Sequence, residues 1–332
     1  MAGLDVGTSY IVLAKQGGGG VEYKDFRDAF YIIKPTTPVA TKMIEKGLAG
    51  KVFIKDSDGS FILLGKDAIE KAIERNDTAK RPMFRGVVSA KEKDAKRVLS
   101  FILKEVAGKA KEPGEKLVFC VPAQPVDQED DDFDVGYHED VVKTILSECG
   151  YNARSINEAE ALCYAELEHE DYTGIGVSCG AGMTNVCVML NGEPTVVFST
   201  TKSGDWIDRM SAVATGEPDS VVQVEKEGGN FTIGEPNDNP VLAAVSAYYE
   251  RLIDYTTKNL AAALSSHKAL PKFKDPLLIV VAGGTSQAKG YVENFAKMLI
   301  ANGFPVKIKE VKHAADPLHA VAKGCLIASQ VL

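Results

Sequence analysis

GLDVGTSYIVLAK, residues 3–15, reads as an apolar strand, a tight glycine-bearing turn and a second apolar strand. A glycine run at 17–20 follows, then a short third strand around Val21–Tyr23. The plan returns half a chain later in GIGVSCGAGMTNVCVMLNGEPTVVFST, residues 174–200. There the first strand ends near Ser178, the turn carries Gly180 and Gly182, and the second strand covers Thr184–Leu190. Asn191-Gly192 is a two-residue hairpin signal, since the turn that matches strand twist needs positive φ at both positions. A third strand follows at Thr195–Ser199. Self-similarity of this kind marks an internal repeat and predicts two related lobes facing each other.

Helices fall around these meanders. Apolar periodicity predicts amphipathic helices over 92–108 and 138–149, the second closed by Gly150 as a left-handed cap. Asn157 is an N-cap with Glu160 three residues on, the spacing of a capping box, before an Ala/Leu-rich run to His169. A long helical stretch covers 240–268. Leu277–Val281 is a buried strand, after which Gly283-Gly284 opens a helix from about Ser286 to Ala301. Asp316-Pro317 starts the last helix, because proline suits the first helical position. Strands and helices alternate, which makes the class α/β.

Composition narrows the function. The chain has 332 residues, 45% hydrophobic and 25% charged, enough for a large core in two domains or lobes. No run of 18 apolar residues exists, so no membrane-spanning helix is expected, and the N-terminus enters strand-like sequence without a signal peptide or amphipathic anchor. A net charge of −8 with scattered basic residues disfavours nucleic acid and anionic lipid. The acidic run Glu129–Asp132 lacks the pattern of a calcium loop and reads as solvated. Six cysteines without CxxC, mostly inside apolar runs, argue against zinc and for a reducing cytoplasm.

A tight turn with glycine exposes several backbone N–H groups at once, and such concavities bind anions, phosphate above all. Asp5-Val6-Gly7-Thr8-Ser9 has this form, with two hydroxyls added; Gly180-Ala181-Gly182-Met183-Thr184 has it too. Either loop alone is ordinary hairpin geometry, but two with the same flanking strands point to a shared ligand. Asp5 would repel phosphate unless a cation lay between them, and magnesium is the natural mediator; the alternative is a turn-capping carboxylate. Glu158, just inside a helix N-terminus, is placed either to orient a water towards a γ-phosphate or simply to complement the helix dipole. Ala282–Ser286 is a further strand-to-helix junction suited to phosphate or adenosine. It is neither a Walker A loop nor a Rossmann fingerprint.

In order and spacing, these segments resemble the actin/Hsp70/sugar-kinase superfamily, and within it bacterial actins of the MreB and MamK type, over nearly the whole chain. DVGTS (5–9) and GAGMT (180–184) look like its two phosphate loops. RPMFRGVVS (81–89) and FCVPAQ (119–124) resemble parts of its first lobe. INEAEALCYA (156–165) and AVAKGCLIA (320–328) resemble its connecting helices. SGDWID (203–208), EKEGG (225–229) and VVAGGTSQAKGY (280–291) resemble its ribose, base and adenosine segments. The resemblance implies a two-lobed, ribonuclease H-like duplicated fold with a cleft for ATP or ADP and magnesium. Lobe I would be 1–148, with a small insert at about 34–80, completed by the C-terminal helix 315–332. Lobe II would be 149–314, its IIB part about 206–269. By carry-over, Asp5 binds magnesium through water. Gly7, Thr8, Ser9, Gly180, Ala181, Gly182, Met183 and Thr184 surround the phosphates, and Glu158 positions the attacking water. Gly204, Asp205, Lys226 and Glu227 meet ribose and base, and Gly283, Gly284 and Thr285 the adenosine.

The second loop departs from the family at its first position, where Ser178 replaces an Asp. Asn185 stands where an acidic residue is frequent, and Met183 replaces a Thr. A hydroxyl at 178 cannot hold hydrated magnesium as a carboxylate does, so slow ATP hydrolysis is expected. The size and the small insert suit a cytoplasmic filament-forming actin that assembles with itself. The alternative is a non-polymerising adaptor or chaperone-like ATPase with a partner protein. A small-molecule kinase would need a catalytic Asp, and the candidates Asp127 and Asp130 read as parts of a polar, solvated loop.

Overall fold

The structure, a computed structural model, describes residues 1–128, 133–266 and 273–332. The acidic run Glu129–Asp132, Asp130 within it, and residues 267–268 at the end of the expected long helix lie outside the described residues.

Strands β1 (Ala2–Val6), β2 (Tyr10–Gly17) and β3 (Gly20–Arg27) form the first antiparallel meander, its third strand longer than the short one expected. Next come β4 (Phe30–Ile33), α1 (Pro38–Gly47), β5 (Phe53–Lys55), β6 (Phe61–Leu64) and α2 (Lys66–Glu74). These make a separate small sheet whose own core includes Ile33, Phe61 and Leu63. A short hairpin, β7 (Met83–Phe84) and β8 (Val87–Val88), leads to α3 (Ala95–Ala107), β9 (Glu115–Val121), α4 (Val135–Glu148) and β10 (Tyr151–Asn157). The first large sheet has the order β10-β9-β1-β2-β3. Because β10 pairs with β9 along its whole length, this sheet extends to Asn157.

The second half begins with α5 (Glu158–Glu166). The meander β11 (Gly174–Cys179), β12 (Thr184–Leu190) and β13 (Glu193–Thr200) follows, with Asn191 and Gly192 at φ 50° and 84° in its turn. Then come α6 (Gly204–Thr215), α7 (Asp219–Gly228), α8 (Pro240–Ser266), β14 (Leu277–Ala282), α9 (Tyr291–Ala301), β15 (Ile308–His313) and α10 (Ala320–Val331). Its sheet, β13-β12-β11-β14-β15, repeats the first: a meander, then two parallel strands beside the meander's first strand. The fold is the two-lobed actin-like one, and the duplication read from the two meanders is its organising feature.

Helices α5 and α10 lie between the two sheets. Ala159, Ala161, Leu162 and Cys163 pack with Val321 and Cys325, and with residues of β9, β12 and β14, in one buried cluster. The two helices approach so closely that a Cβ on Gly324 would sit 1.7 Å from the carbonyl oxygen of Ala161. All six cysteines are buried and free.

Some helix ends stand where the local signals put them and others are displaced. Asn157 caps α5 by accepting the amides of Ala159 and Glu160 at 2.9 and 3.3 Å, but Glu160 takes the Tyr164 hydroxyl at 2.9 Å instead of closing a capping box. Residues Gly284–Gln287 form a 3-10 turn, and α9 starts only at Tyr291, because Gly290 at φ 83° resets the chain. Asp316 opens a turn rather than the last helix. Its carbonyl accepts the amides of His319 and Ala320, and α10 begins at Ala320.

Candidate functional site

A cavity of about 470 Å³ lies where the two meander turns face each other. Asp5, Gly7, Thr8 and Ser9 line it from the first turn, and Gly180, Ala181, Gly182 and Met183 from the second. The turns are in direct contact. A Cβ on Gly182 would stand 2.4 Å from Thr8 Oγ1 and 3.1 Å from the Gly86 nitrogen, so only glycine fits. Thr8 Oγ1 accepts the Gly86 N–H at 2.9 Å, which draws the β7–β8 hairpin onto the same spot. The backbone N–H groups of Thr8, Ser9, Ala181, Gly182 and Met183 donate no hydrogen bond among the described residues. Folded chains rarely leave backbone donors unpaired. Five of them around one cavity make a receptor for an anion with several oxygens.

Beneath the turns lie the carboxylates of Asp5 and Glu158, both on the cavity wall. Burial pushes Asp5 up to about 6, opposed by the Cys120 thiol, which donates to Asp5 Oδ1 at 3.1 Å. Burial, reinforced by the negative charge of Asp5, pushes Glu158 up to about 8. Both Glu158 oxygens are held: Ser178 Oγ donates to Oε1 at 2.6 Å and Asn185 Nδ2 to Oε2 at 2.8 Å. Ser178 and Asn185 thus supply two neutral donors to the one glutamate.

The remaining expected residues divide into wall and support. Asp205, Lys226, Glu227, Gly283, Gly284 and Thr285 line the cavity. Thr184 and Gly204 do not; Thr184 is fully buried and donates to the Lys202 carbonyl at 3.1 Å, bracing the second turn from behind. Thr285 Oγ1 donates to the Gly180 carbonyl at 2.7 Å, tying the 3-10 turn to that loop. The charged ends expected near ribose and base are already paired. Lys226 donates to the Gly204 carbonyl at 3.1 Å and to Asp208 at 2.7 Å, and burial pushes Asp208 up to about 6. Asp127 is not a solvated loop residue: it accepts the Thr201 amide at 2.8 Å, the Thr201 hydroxyl at 3.1 Å and the Tyr255 hydroxyl at 2.8 Å.

Residues 1–329 match the sequence model of the Volactin family. The chain belongs to the Volactin family. No curated protein matches the sequence. Among solved structures, this volactin-family chain is similar to one titled MamK double helical filament, with TM-score 0.75, 20% identity, and coverage of 100% of this chain and 98% of that one. MreB5 of Spiroplasma citri bound to AMPPNP aligns with TM-score 0.68 and 14% identity, covering 99% and 96%. The ethanolamine utilization protein EutJ from Carboxydothermus hydrogenoformans aligns with TM-score 0.54 and 16% identity, covering 98% and 89%. At these identities the likeness is one of fold, and the fold is actin-like, of the MreB/MamK type.

Several residues on or behind the wall of the volactin-family chain had no role assigned from the sequence. Arg27 lines the cavity and pairs with Glu227 across 200 residues at 3.0 Å. Arg81 Nη1 reaches both oxygens of Asp205 at 2.9 and 2.8 Å, joining segments 124 residues apart. Between these arginines Asp28 is fully buried, with neither oxygen hydrogen-bonded among the described residues, and burial holds its carboxyl well above the usual range. Tyr10, Gln223, Gly229, Tyr249, Gln287 and Leu318 complete much of the wall.

Proposed function

We propose that this volactin-family chain is an actin-like nucleotide-binding protein that polymerises into cytoskeletal filaments with ATP and hydrolyses it slowly. The observation that carries the reading is the contact of the two meander turns at Gly182 and Thr8, which puts five unpaired amides from opposite halves around one cavity. A triphosphate has the charge and the oxygens to engage both turns at once. The similar structures support the rest: one is a MamK filament, one is MreB5 bound to AMPPNP, and a non-polymerising MamK mutant is bound to AMPPNP.

In this reading Thr8, Ser9 and the 181–183 amides hold the phosphates, while Gly283–Thr285 and the wall formed by Asp205 and Glu227 face the nucleoside. A divalent cation fits the donor set. Among the described residues neither Asp5 nor Glu158 makes an ion pair, although the charge of His319 acts on Asp5, and no group of three or more metal-ligating side chains occurs. Magnesium keeps most of its water and binds through one or two carboxylates plus phosphate oxygens. Bound beside Asp5, it would neutralise charge on the β- and γ-phosphates. Glu158 orients the water, and Ser178 and Asn185 hold Glu158. Ser178 adds no charge for the hydrated ion, which favours turnover below ~1 s⁻¹, the low end of ordinary enzyme rates.

The lobes proposed here follow the two sheets, joined by α5 and α10, and a cytoplasmic setting suits six free thiols. No helix of the described residues is long and apolar enough to cross a membrane. Calorimetry with ATP and magnesium, then sedimentation and electron microscopy with and without ATP, test the proposal. No heat refutes nucleotide binding, and persistently monomeric protein at tens of micromolar refutes assembly.

A further inference from the structure

Three polar side chains stand in a row across the second sheet. Ser178 on β11 lies opposite Asn185 on β12, which lies opposite Ser199 on β13. All three are buried, with exposures of 1%, 0% and 0%, on a sheet whose buried side chains are mainly apolar, with Thr184 and Thr200 as the neighbouring polar pair. Burying polar groups costs stability unless each is hydrogen-bonded, and here each is. Ser178 and Asn185 grip the two oxygens of Glu158. Asn185 Oδ1 accepts the Ala123 N–H at 2.9 Å, and Ser199 Oγ donates to the Ala123 carbonyl at 2.7 Å. Ala123 belongs to the segment that leaves the first sheet after β9. That segment continues along β13, where Val126 N donates to the Ser199 carbonyl at 2.9 Å and Ser199 N to Gln124 at 3.2 Å.

The orientation of the Asn185 amide follows from its partners. The Ala123 amide can only donate, so it faces Oδ1, and the carboxylate of Glu158 accepts, so it faces Nδ2. We propose that Asn185 is a positioning residue for phosphoryl transfer to water, fixing Glu158 Oε2 and coupling it to the segment at Ala123. The proposal rests on the nucleotide reading above. In the step concerned, the water oxygen bonds to the γ-phosphorus. The bond to the β–γ bridging oxygen breaks, its electron pair leaves on ADP, and the water's proton passes to solvent. Asn185 touches none of these atoms. It sets where the carboxylate that orients the water can stand, and it makes that place depend on how the segment from the first half is seated.

Asn185→Asp separates the two roles. An aspartate still accepts the Ala123 N–H, but it turns a second carboxylate oxygen towards Glu158 Oε2, where the two must repel or share a proton. The full-length chain, N185D and N185A are compared by ATP–magnesium calorimetry and by single-turnover phosphate release. The expected result is a fall in turnover of about tenfold or more in both variants, with the ATP dissociation constant of N185D within about threefold of the wild type, well under the factor that 1.4 kcal/mol represents. Wild-type turnover in N185D overturns the proposal and leaves Asn185 a structural tie. So does a parallel loss of affinity and turnover, which assigns the residue to building the site. Absence of ATP binding by the wild-type chain overturns the nucleotide reading itself, and this proposal with it.

Discussion

Substituting Gly182 by alanine tests the meeting of the two turns at its tightest point. The new methyl would lie 2.4 Å from Thr8 Oγ1 and 3.1 Å from backbone atoms of Arg85 and Gly86. Thr8 can turn aside only by giving up the Gly86 N–H it accepts at 2.9 Å, a bond worth about 1 kcal/mol. Otherwise the turns must part, and overpacking of this kind costs about 1–3 kcal/mol. If that cost falls on the arrangement that holds the triphosphate, affinity drops roughly 5- to 150-fold. The assay is titration with ATP and magnesium by calorimetry, alongside thermal melting. Gly18→Ala is the control, since nothing lies within 4 Å of its Cβ position. Binding by G182A equal to that of wild type, with an unchanged melting temperature, would refute the idea that these turns close on one ligand.

Three further outcomes follow from particular side chains. His138 is fully buried, with both ring nitrogens unpartnered among the described residues, and burial lowers its pKa from 6.5 to about 4. The unfolded chain therefore binds the proton first, so stability falls by about 1.4 kcal/mol per unit as pH drops through that window. Urea melts of His138→Leu should lack this acid limb; an identical pH dependence in both proteins would contradict the assignment. Ser178→Asp places a carboxylate where a hydroxyl now donates to Glu158 at 2.6 Å, so its melting temperature should drop in chelator and recover in millimolar magnesium. Equal melts with and without magnesium count against Asp5 and Glu158 as a cation site. Arg81→Ala removes the bonds to Asp205, and ATP should then dissociate severalfold faster, read from the fluorescence of Trp206 beside it. An unchanged dissociation rate would show that this pair does not hold the cavity shut.

What the sequence discloses here is local. The meanders, the turn at Asn191-Gly192 and the cap at Asn157 depend on neighbours within a few residues, and each stands where expected. The facing of the two halves was legible only through their duplication. Helix starts after Gly283 and Asp316 were set too early because Gly290 and the Asp316 turn act on geometry rather than composition. The grip on Glu158 was hidden for a different reason. Ser178 and Asn185 look like losses of charge when read alone, and their shared partner lies 20 and 27 residues away. Asp127 was read as solvated for the same reason, its Tyr255 partner being 128 residues distant. The arginine pairs Arg27–Glu227 and Arg81–Asp205 join residues with no common motif.

Those arginine pairs have a consequence for the medium in which the protein works. Both join segments from the two halves, and in each the arginine is the more buried partner, at 9% against 49% for Glu227 and 22% against 35% for Asp205. At 3.0 and 2.8 Å each pair lies well inside the screening distance of about 8 Å at 0.15 M salt, and partly buried charges are screened least, so ordinary changes in ionic strength should leave these ties between the halves in place.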